Sequence, residues 1–289
     1  MKHLTATCIG ICILALCMAK TGWALENRVP VSYELTSIKD ALCIKHHRLQ
    51  LGVVCSDFNY EEPGLMEEKG TLYGVMARYC FRNEEDGMFQ TDIQVDFGEI
   101  TYDGGYQDGT PLKTNTDDVV VEWRAIGGLD CPVRNSTLVT PFLGLGFRYW
   151  NDRIEGQGGY EREISYWYVP LGVQIMTSLW PGLTMGASLE YDLFFAGRVE
   201  SHLDKLNSNF YRLYNDQLPG KGFGIKGALQ FRFVSGAYLG LIIEPFVSYW
   251  EAADSEVVLA YYDENGSPMG AWEPENNTFH YGVRAMVEF

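Results

Sequence analysis

The chain closes on FHYGVRAMVEF, residues 279–289, and every odd position in it is apolar: Phe279, Tyr281, Val283, Ala285, Val287 and Phe289. The even positions hold His280, Gly282, Arg284, Met286 and Glu288. Alternation of this kind puts one class of side chain on each face of an extended strand. A soluble domain lets its last residues fray in polar side chains, whereas this chain ends on a phenylalanine of the apolar face.

The same period governs residues 72–81, 88–97, 119–129, 138–150, 165–175, 183–195, 223–233 and 239–249. In 183–195, for instance, Leu183, Met185, Ala187, Leu189, Tyr191 and Leu193 oppose Ser188, Glu190 and Asp192. Apolar residues do not recur at spacings of three and four, so the segments are not amphipathic helices. Segments of about ten residues with this alternation are the signature of a transmembrane antiparallel up-and-down β-barrel. Residues 47–60 supply a further strand of less clear facing, which brings the expected number to ten; eight or twelve strands fit the same pattern. The links sort into two classes. Long ones fall near 61–69, 103–116, 151–160, 197–220 and 251–277, and short ones near 84–87, 130–136, 179–182 and 234–236. Barrels of this type pair short periplasmic turns with longer outer loops.

Periodicity alone does not say which face points inward; the polar set decides. It is rich in glycine, which suits a crowded lumen, and its charges balance. Arg78, Arg82, Arg124, Arg148, Lys226, Arg232 and Arg284 stand against Asp92, Asp96, Glu122, Glu190, Asp192, Glu244 and Glu288. Buried charges require partners, so these residues are expected to form a lumen ion-pair network. Aromatics gather near strand ends, at Tyr149-Trp150, Tyr166-Trp167-Tyr168, Trp180, Phe194-Phe195 and Tyr249-Trp250, as in interfacial girdles. Pro141, Pro170 and Pro245 run against the pattern, since proline cannot donate to a ladder; each is expected at a bulge or near a rim.

The chain begins with Lys2 and His3, an apolar run to Ala19 and the small residues of Gly22-Trp23-Ala24. Residues 1–24 read as a cleaved secretory signal, 25–46 as a periplasmic N-terminal segment or a piece that enters the lumen, and 47–289 as the barrel. Loss of Lys2 and Lys20 with the signal moves the formal charge from -16 to -18. So acidic a chain does not bind nucleic acid by phosphate neutralisation. Cys43, Cys55, Cys80 and Cys131 remain, an even set that suggests disulfides in an exported protein; three connectivities are open, of which the one that joins Cys43 to Cys131 is preferred because both lie near the proposed periplasmic rim. No metal-ligand spacing and no cofactor motif is present.

The terminal strand resembles that of bacterial outer-membrane β-barrel proteins, with Tyr281, Val283, Ala285, Val287 and Phe289 as the matching residues. The resemblance implies that this strand is an assembly signal read by the barrel-assembly machinery through strand addition. It also implies residence among outer-membrane lipid and lipopolysaccharide. The segment 59–79, with its EEPG loop and YG strand, is similar to an uncharacterised group of such barrels and implies no activity.

A ten-stranded barrel of this size is also the shape of the omptin proteases, which use paired acidic residues and an Asp/His couple. Asp117-Asp118 and His202-x-Asp204 are the residues here that match in kind, although the order of the Asp/His couple is reversed. His46-His47 read as part of the entry segment, Glu190-x-Asp192 as part of the lumen network, and the glycine-rich 155–162 as an outer turn without phosphate-loop context. The outer loops are acidic, with Glu61, Glu62, Glu67, Glu68, Asp103, Asp152, Glu155, Asp254, Glu273 and Glu275 among their residues, and read as a hydrated face without a specific calcium-ligand spacing. The expectation is an envelope barrel of structural or surface-interaction role, with an unknown extracellular ligand. A narrow solute channel or an outer-membrane protease is the alternative.

Overall fold

The computed structural model describes residues 42–289 except 84–85, 106–108, 135, 157, 207–208, 236–238 and 263–264. The expected signal at 1–24 and most of the expected N-terminal segment at 25–46 lie outside the described residues. The strands in chain order are β1 (His47–Glu62), β2 (Met66–Arg82), β3 (Gly87–Gly105), β4 (Pro111–Leu129), β5 (Cys131–Arg134), β6 (Thr137–Ile154) and β7 (Glu161–Trp180). There follow β8 (Leu183–Ser201), β9 (Leu213–Gln217), β10 (Gly222–Ser235), β11 (Leu239–Ala252), β12 (Val258–Tyr262), β13 (Pro268–Ala271) and β14 (Asn276–Glu288).

Ten of these build the wall, each antiparallel to its neighbours, in the order β1, β2, β3, β4, β6, β7, β8, β10, β11, β14. The wall closes because β14 returns to β1, with Gln50 opposite Glu288 and Glu61 opposite Asn277. Closure leaves no edge for another chain to extend. The short β5 pairs with β6, β9 continues the β8 edge, and β12 and β13 form a separate hairpin. We call the end that carries Phe289 and the start of β1 the terminal end, and the other the loop end.

The odd-numbered apolar residues face outward and are exposed. Val53 is 61 % accessible, Leu143 67 % and Leu189 60 %. A continuous apolar band of this kind is incompatible with water and fits hydrocarbon. In β2 it runs from Tyr73 to Phe81, nine residues, and a tilted strand needs about 9–11 to span a bilayer. Towards the loop end the outward residues turn polar in register: Asp57, Thr71, Glu99, Asp117, Asn151, Ser165 and Glu251. Tyr73, Phe97, Tyr149, Trp167, Phe223, Tyr249 and Phe279 ring the wall one pleat below.

The strands outrun the membrane, and this corrects the expected loops. β7 has 20 residues, about twice a span. The stretch 61–69 is mostly ladder, with Glu61 opposite Glu67 and Glu62 opposite Met66. Only Pro63, Gly64 and Leu65 turn, with Gly64 in the left-handed region at φ 78°, where a Cβ is costly. Much of 103–116 and 151–160 is strand as well. Past the bilayer the outward face turns polar while the inward face mixes apolar residues such as Ile100, Ile154 and Ile164 with buried charges, so the alternation that marks a membrane strand in sequence is lost.

The three prolines sit where ladders stop. The β6–β7 pairing skips from Leu143–Leu171 to Gly146–Tyr168 around Pro170, and β10–β11 skips from Ala228–Phe246 to Phe231–Ile243 around Pro245. Pro141 lies one residue beyond the end of the β4–β6 ladder at Phe142.

Candidate functional site

The even-numbered side chains fill the lumen in layers. At the terminal end Arg232 of β10 holds Glu288 of β14, with Nη2 to Oε1 at 2.5 Å. The same guanidinium donates to the backbone carbonyls of Leu42 and Cys43 at 3.0 and 2.9 Å. The end of the N-terminal segment is thereby tied into the barrel, and Leu42, fully buried, packs on Leu138 and Met176. Beside it Arg82 pairs with Asp130, and Arg48 donates to the thiol sulfur of Cys80 at 3.2 Å.

The middle layer is ionic. Arg78 of β2 reaches Asp92 of β3 at 2.6 Å and Glu244 of β11 at 2.8 Å. Arg284 of β14 approaches the other oxygen of Glu244 at 2.8 Å and donates to Gln94 at 2.7 Å. Arg124 bridges Asp92 and Glu190. Lys226 contacts Glu122 and lies 3.0 Å from Asp192 and 3.5 Å from Glu190. Asp96 accepts from Gln94 at 2.6 Å and lies 4.0 Å from His280, whose ring meets the Ser56 hydroxyl at 2.8 Å. A cavity of about 110 Å³ lies among these groups, lined in part by Arg78, Gln90, Arg124, Gln174, Gln230 and Glu244. It is polar and large enough for a few waters.

Above lies an aromatic layer. Phe58, Tyr60, Trp150, Tyr166, Tyr168, Phe194 and Trp250 are all buried and form one cluster. Arg148 carries its charge over the Phe58 and Trp250 rings, 5.9 and 5.7 Å from their centres, an arrangement that stabilises a desolvated cation. Gly146 faces Tyr168 so closely that a Cβ would strike the ring.

The last layer, at the loop end, contains groups assigned to hydrated loops on sequence grounds. Glu62, Glu68 and Asp152 are buried because the strands continue and their even positions still point inward, and Glu273, in the link before β14, is buried against them. Arg162 of β7 gathers them: Asp152 at 2.8 Å, Glu62 at 2.7 Å, Glu68 at 3.2 Å and Glu273 at 3.7 Å. Asp118 is next to them, accepting from Trp150 Nε1 at 2.6 Å and from Thr116 at 2.5 Å. Burial pushes the Glu273 carboxyl up to about 7 against the pull of Arg162. The outer wall at this height is laced by exposed pairs such as Lys113–Asp103 and Arg198–Asp216. The hydrogen bond from Arg198 holds the Asp216 carboxyl below its usual range.

The structure does not assemble the candidate hydrolytic residues into one constellation. Asp117 faces outward to Arg153 and Asp118 inward to Trp150, because neighbours in a strand take opposite faces. His202 meets Glu163 at 2.8 Å, while Asp204 lies 3.6 Å from Arg212. The expected disulfide is also corrected: Cys43 and Cys131 are exposed free thiols, and Cys80 is a buried one. Cys43 belongs to the segment that Arg232 draws inward, whereas the Cys131 thiol turns to the carbonyl of Leu129. Cys80 faces the lumen, where Arg48 engages it, and Cys55 lies on the outward side of β1, opposite Tyr73 and Val283. Tyr281, Val283, Ala285 and Val287, the residues of the expected assembly signal, lie on the outward side of β14. Phe289 exchanges backbone hydrogen bonds with Leu49, at 2.8 and 3.4 Å.

No protein-family model and no curated protein sequence matches the chain. Among solved structures it is similar to the outer membrane protease OmpT from Escherichia coli, with a TM-score of 0.58 and 8% identity over 84% of this chain and 96% of that one. Weaker likenesses join it to the translocator domain of the autotransporter NalP from Neisseria meningitidis (TM-score 0.42, 11% identity, 97% of each chain). The Ralstonia pickettii toluene transporter TbuX is a further one (0.37, 9%, 86% of this chain and 90% of that one). At such identities only architecture is shared: the chain is a closed, ten-stranded antiparallel β-barrel of the kind found in bacterial outer membranes.

Proposed function

We propose that the protein is an outer-membrane barrel with a closed interior, serving as a structural or surface-interaction component of the envelope. The terminal end then faces the periplasm, and the acidic loop end faces lipopolysaccharide and any extracellular ligand. The observation that carries this reading is the stacking of lumen layers: the Leu42 plug, the Arg78–Glu244 ionic layer and the Trp150–Trp250 aromatic layer lie one above another. Barrels of about eight strands already fill with side chains, and open aqueous channels need about 16–18. The strand closed by Phe289 is read by the assembly machinery.

Planar-bilayer recording of the purified chain tests this. A flat trace is the expected result; regular current steps that change size in Arg124→Gln would reject it.

A narrow solute channel is the second reading, favoured by the polar cavity beside Arg124 and Glu190. It requires the Leu42 plug to leave. Arg232→Gln, which weakens the hold on Leu42 and Cys43, would then raise conductance.

A further inference from the structure

Glu68, Asp118 and Asp152 come from β2, β4 and β6 and offer oxygens that all lie within 4.8 Å of one another. All three are buried, at 0 %, 2 % and 0 % accessibility. Asp118 and Asp152 are direct partners across the β4–β6 ladder, a placement that like charges make costly. Glu62 and Glu273 press on the same Arg162. Four carboxylates therefore contact one guanidinium and a fifth, Asp118, adjoins two of them, and buried charge so unbalanced calls for a counter-charge.

A second observation says what is missing. Glu68 Oε2 and Asp152 Oδ1 have no hydrogen-bond partner, while the other oxygen of each is held by Arg162. Two fully buried acceptors are thus presented without a donor, beside a third carboxylate. We infer that Glu68, Asp118 and Asp152 bind a hard divalent cation of the calcium and magnesium class inside the loop end of the lumen. The donor set is oxygen only, with neither imidazole nor thiolate, which selects such ions over zinc or copper. Water completes the coordination, as is usual for both ions.

The ion would clamp three wall strands together. Through Arg162 the clamp extends to β7 and to Glu273 in the link before β14. It makes the rigidity of the outer mouth depend on divalent cation, and it stands whether or not the lumen conducts.

Terbium luminescence on the chain folded in detergent tests the site. Trp150 donates to Asp118 at 2.6 Å, so its indole is placed to sensitise a bound lanthanide. Saturable emission excited through tryptophan, displaced by calcium or magnesium chloride, is the expected result. Glu68→Gln and Asp152→Asn should each weaken binding about tenfold or more. Asp103→Asn, on the outer wall, should leave it unchanged. Calcium should also raise the unfolding temperature of the parent and not of Glu68→Gln. Absence of saturable binding at millimolar cation overturns the site. So does parental affinity in Glu68→Gln, which is the deciding variant if Asp152→Asn fails to fold.

Discussion

Arg78 and Glu244 meet through two parallel hydrogen bonds of 2.8 and 3.0 Å, although 166 residues separate them in the chain. The fork of a guanidinium matches the two oxygens of a carboxylate, which makes such pairs both strong and geometrically selective. The bond links β2 to β11 across the lumen, so it depends on the whole wall being in register.

Breaking that pair from one side should be costly. Arg78→Met takes one of two cations from Glu244, which keeps Arg284, and from Asp92, which keeps Arg124, and removing one partner from a buried pair costs up to about 3–5 kcal/mol. Urea unfolding in lipid vesicles should show the loss. The double variant Arg78→Met/Glu244→Met should be less damaged than the sum of the two single changes. Additive losses would mean the pair is not coupled.

The loop end should respond to pH. Glu273 keeps its proton up to about 7 when folded, against an ordinary value near 4.5. The folded state therefore binds more protons between those values, and stability falls as pH rises through that window. With a chelator present, hydrogen exchange in the 265–276 region should be slower at pH 5.5 than at pH 8. Glu273→Gln should flatten the difference.

Gly146→Ala should destabilise the barrel by about 1–3 kcal/mol, the usual cost of overpacking. The added methyl would strike Tyr168, and that ring cannot move freely because its hydroxyl donates to Glu122 at 2.7 Å and receives from Lys226 at 2.9 Å. An unchanged melting temperature in detergent would show that the aromatic layer is loose.

Alkylation of the folded protein should label Cys43 and Cys131 within minutes and Cys80 only after unfolding, since the first two are exposed and the third is buried. Intact mass without reductant should show no loss of two hydrogens between Cys43 and Cys131. A bridged peptide containing both would restore the disulfide.

Deletion of Phe289 should lower insertion into the outer membrane in cells while sparing folding in detergent, because its backbone bonds to Leu49 are a small part of the wall. Equal insertion of the truncated chain would remove the assembly role.

The wall was legible because hydrocarbon enforces contrast: Leu189 outside and Glu190 inside must differ in kind, and the alternation carries through ten strands. The loop-end cluster was not. There Glu67 faces water and Glu68 the lumen, both are glutamates, and no periodicity distinguishes them. Arg162 gave no signal for the same reason, being flanked by Glu161 and Glu163. The register change between Trp167–Ala196 and Tyr168–Phe194 reverses the facing of β8 above Phe194, and a two-residue period read straight through would misplace Val199 and Ser201, both buried. Of the N-terminal segment only 42–46 are described, and there Arg232 holds the carbonyls of Leu42 and Cys43, which every residue type possesses.

The seam between β1 and β14 carries a further consequence. β14 completes the cylinder and in the same stroke delivers Arg284 to Glu244 and Glu288 to Arg232. With the seam open, Arg284 and Glu288 of β14 would lack these partners, and oily solvent is closed to them. Sealing and neutralisation are therefore a single event: a cylinder open along this seam would turn unmatched ions towards hydrocarbon.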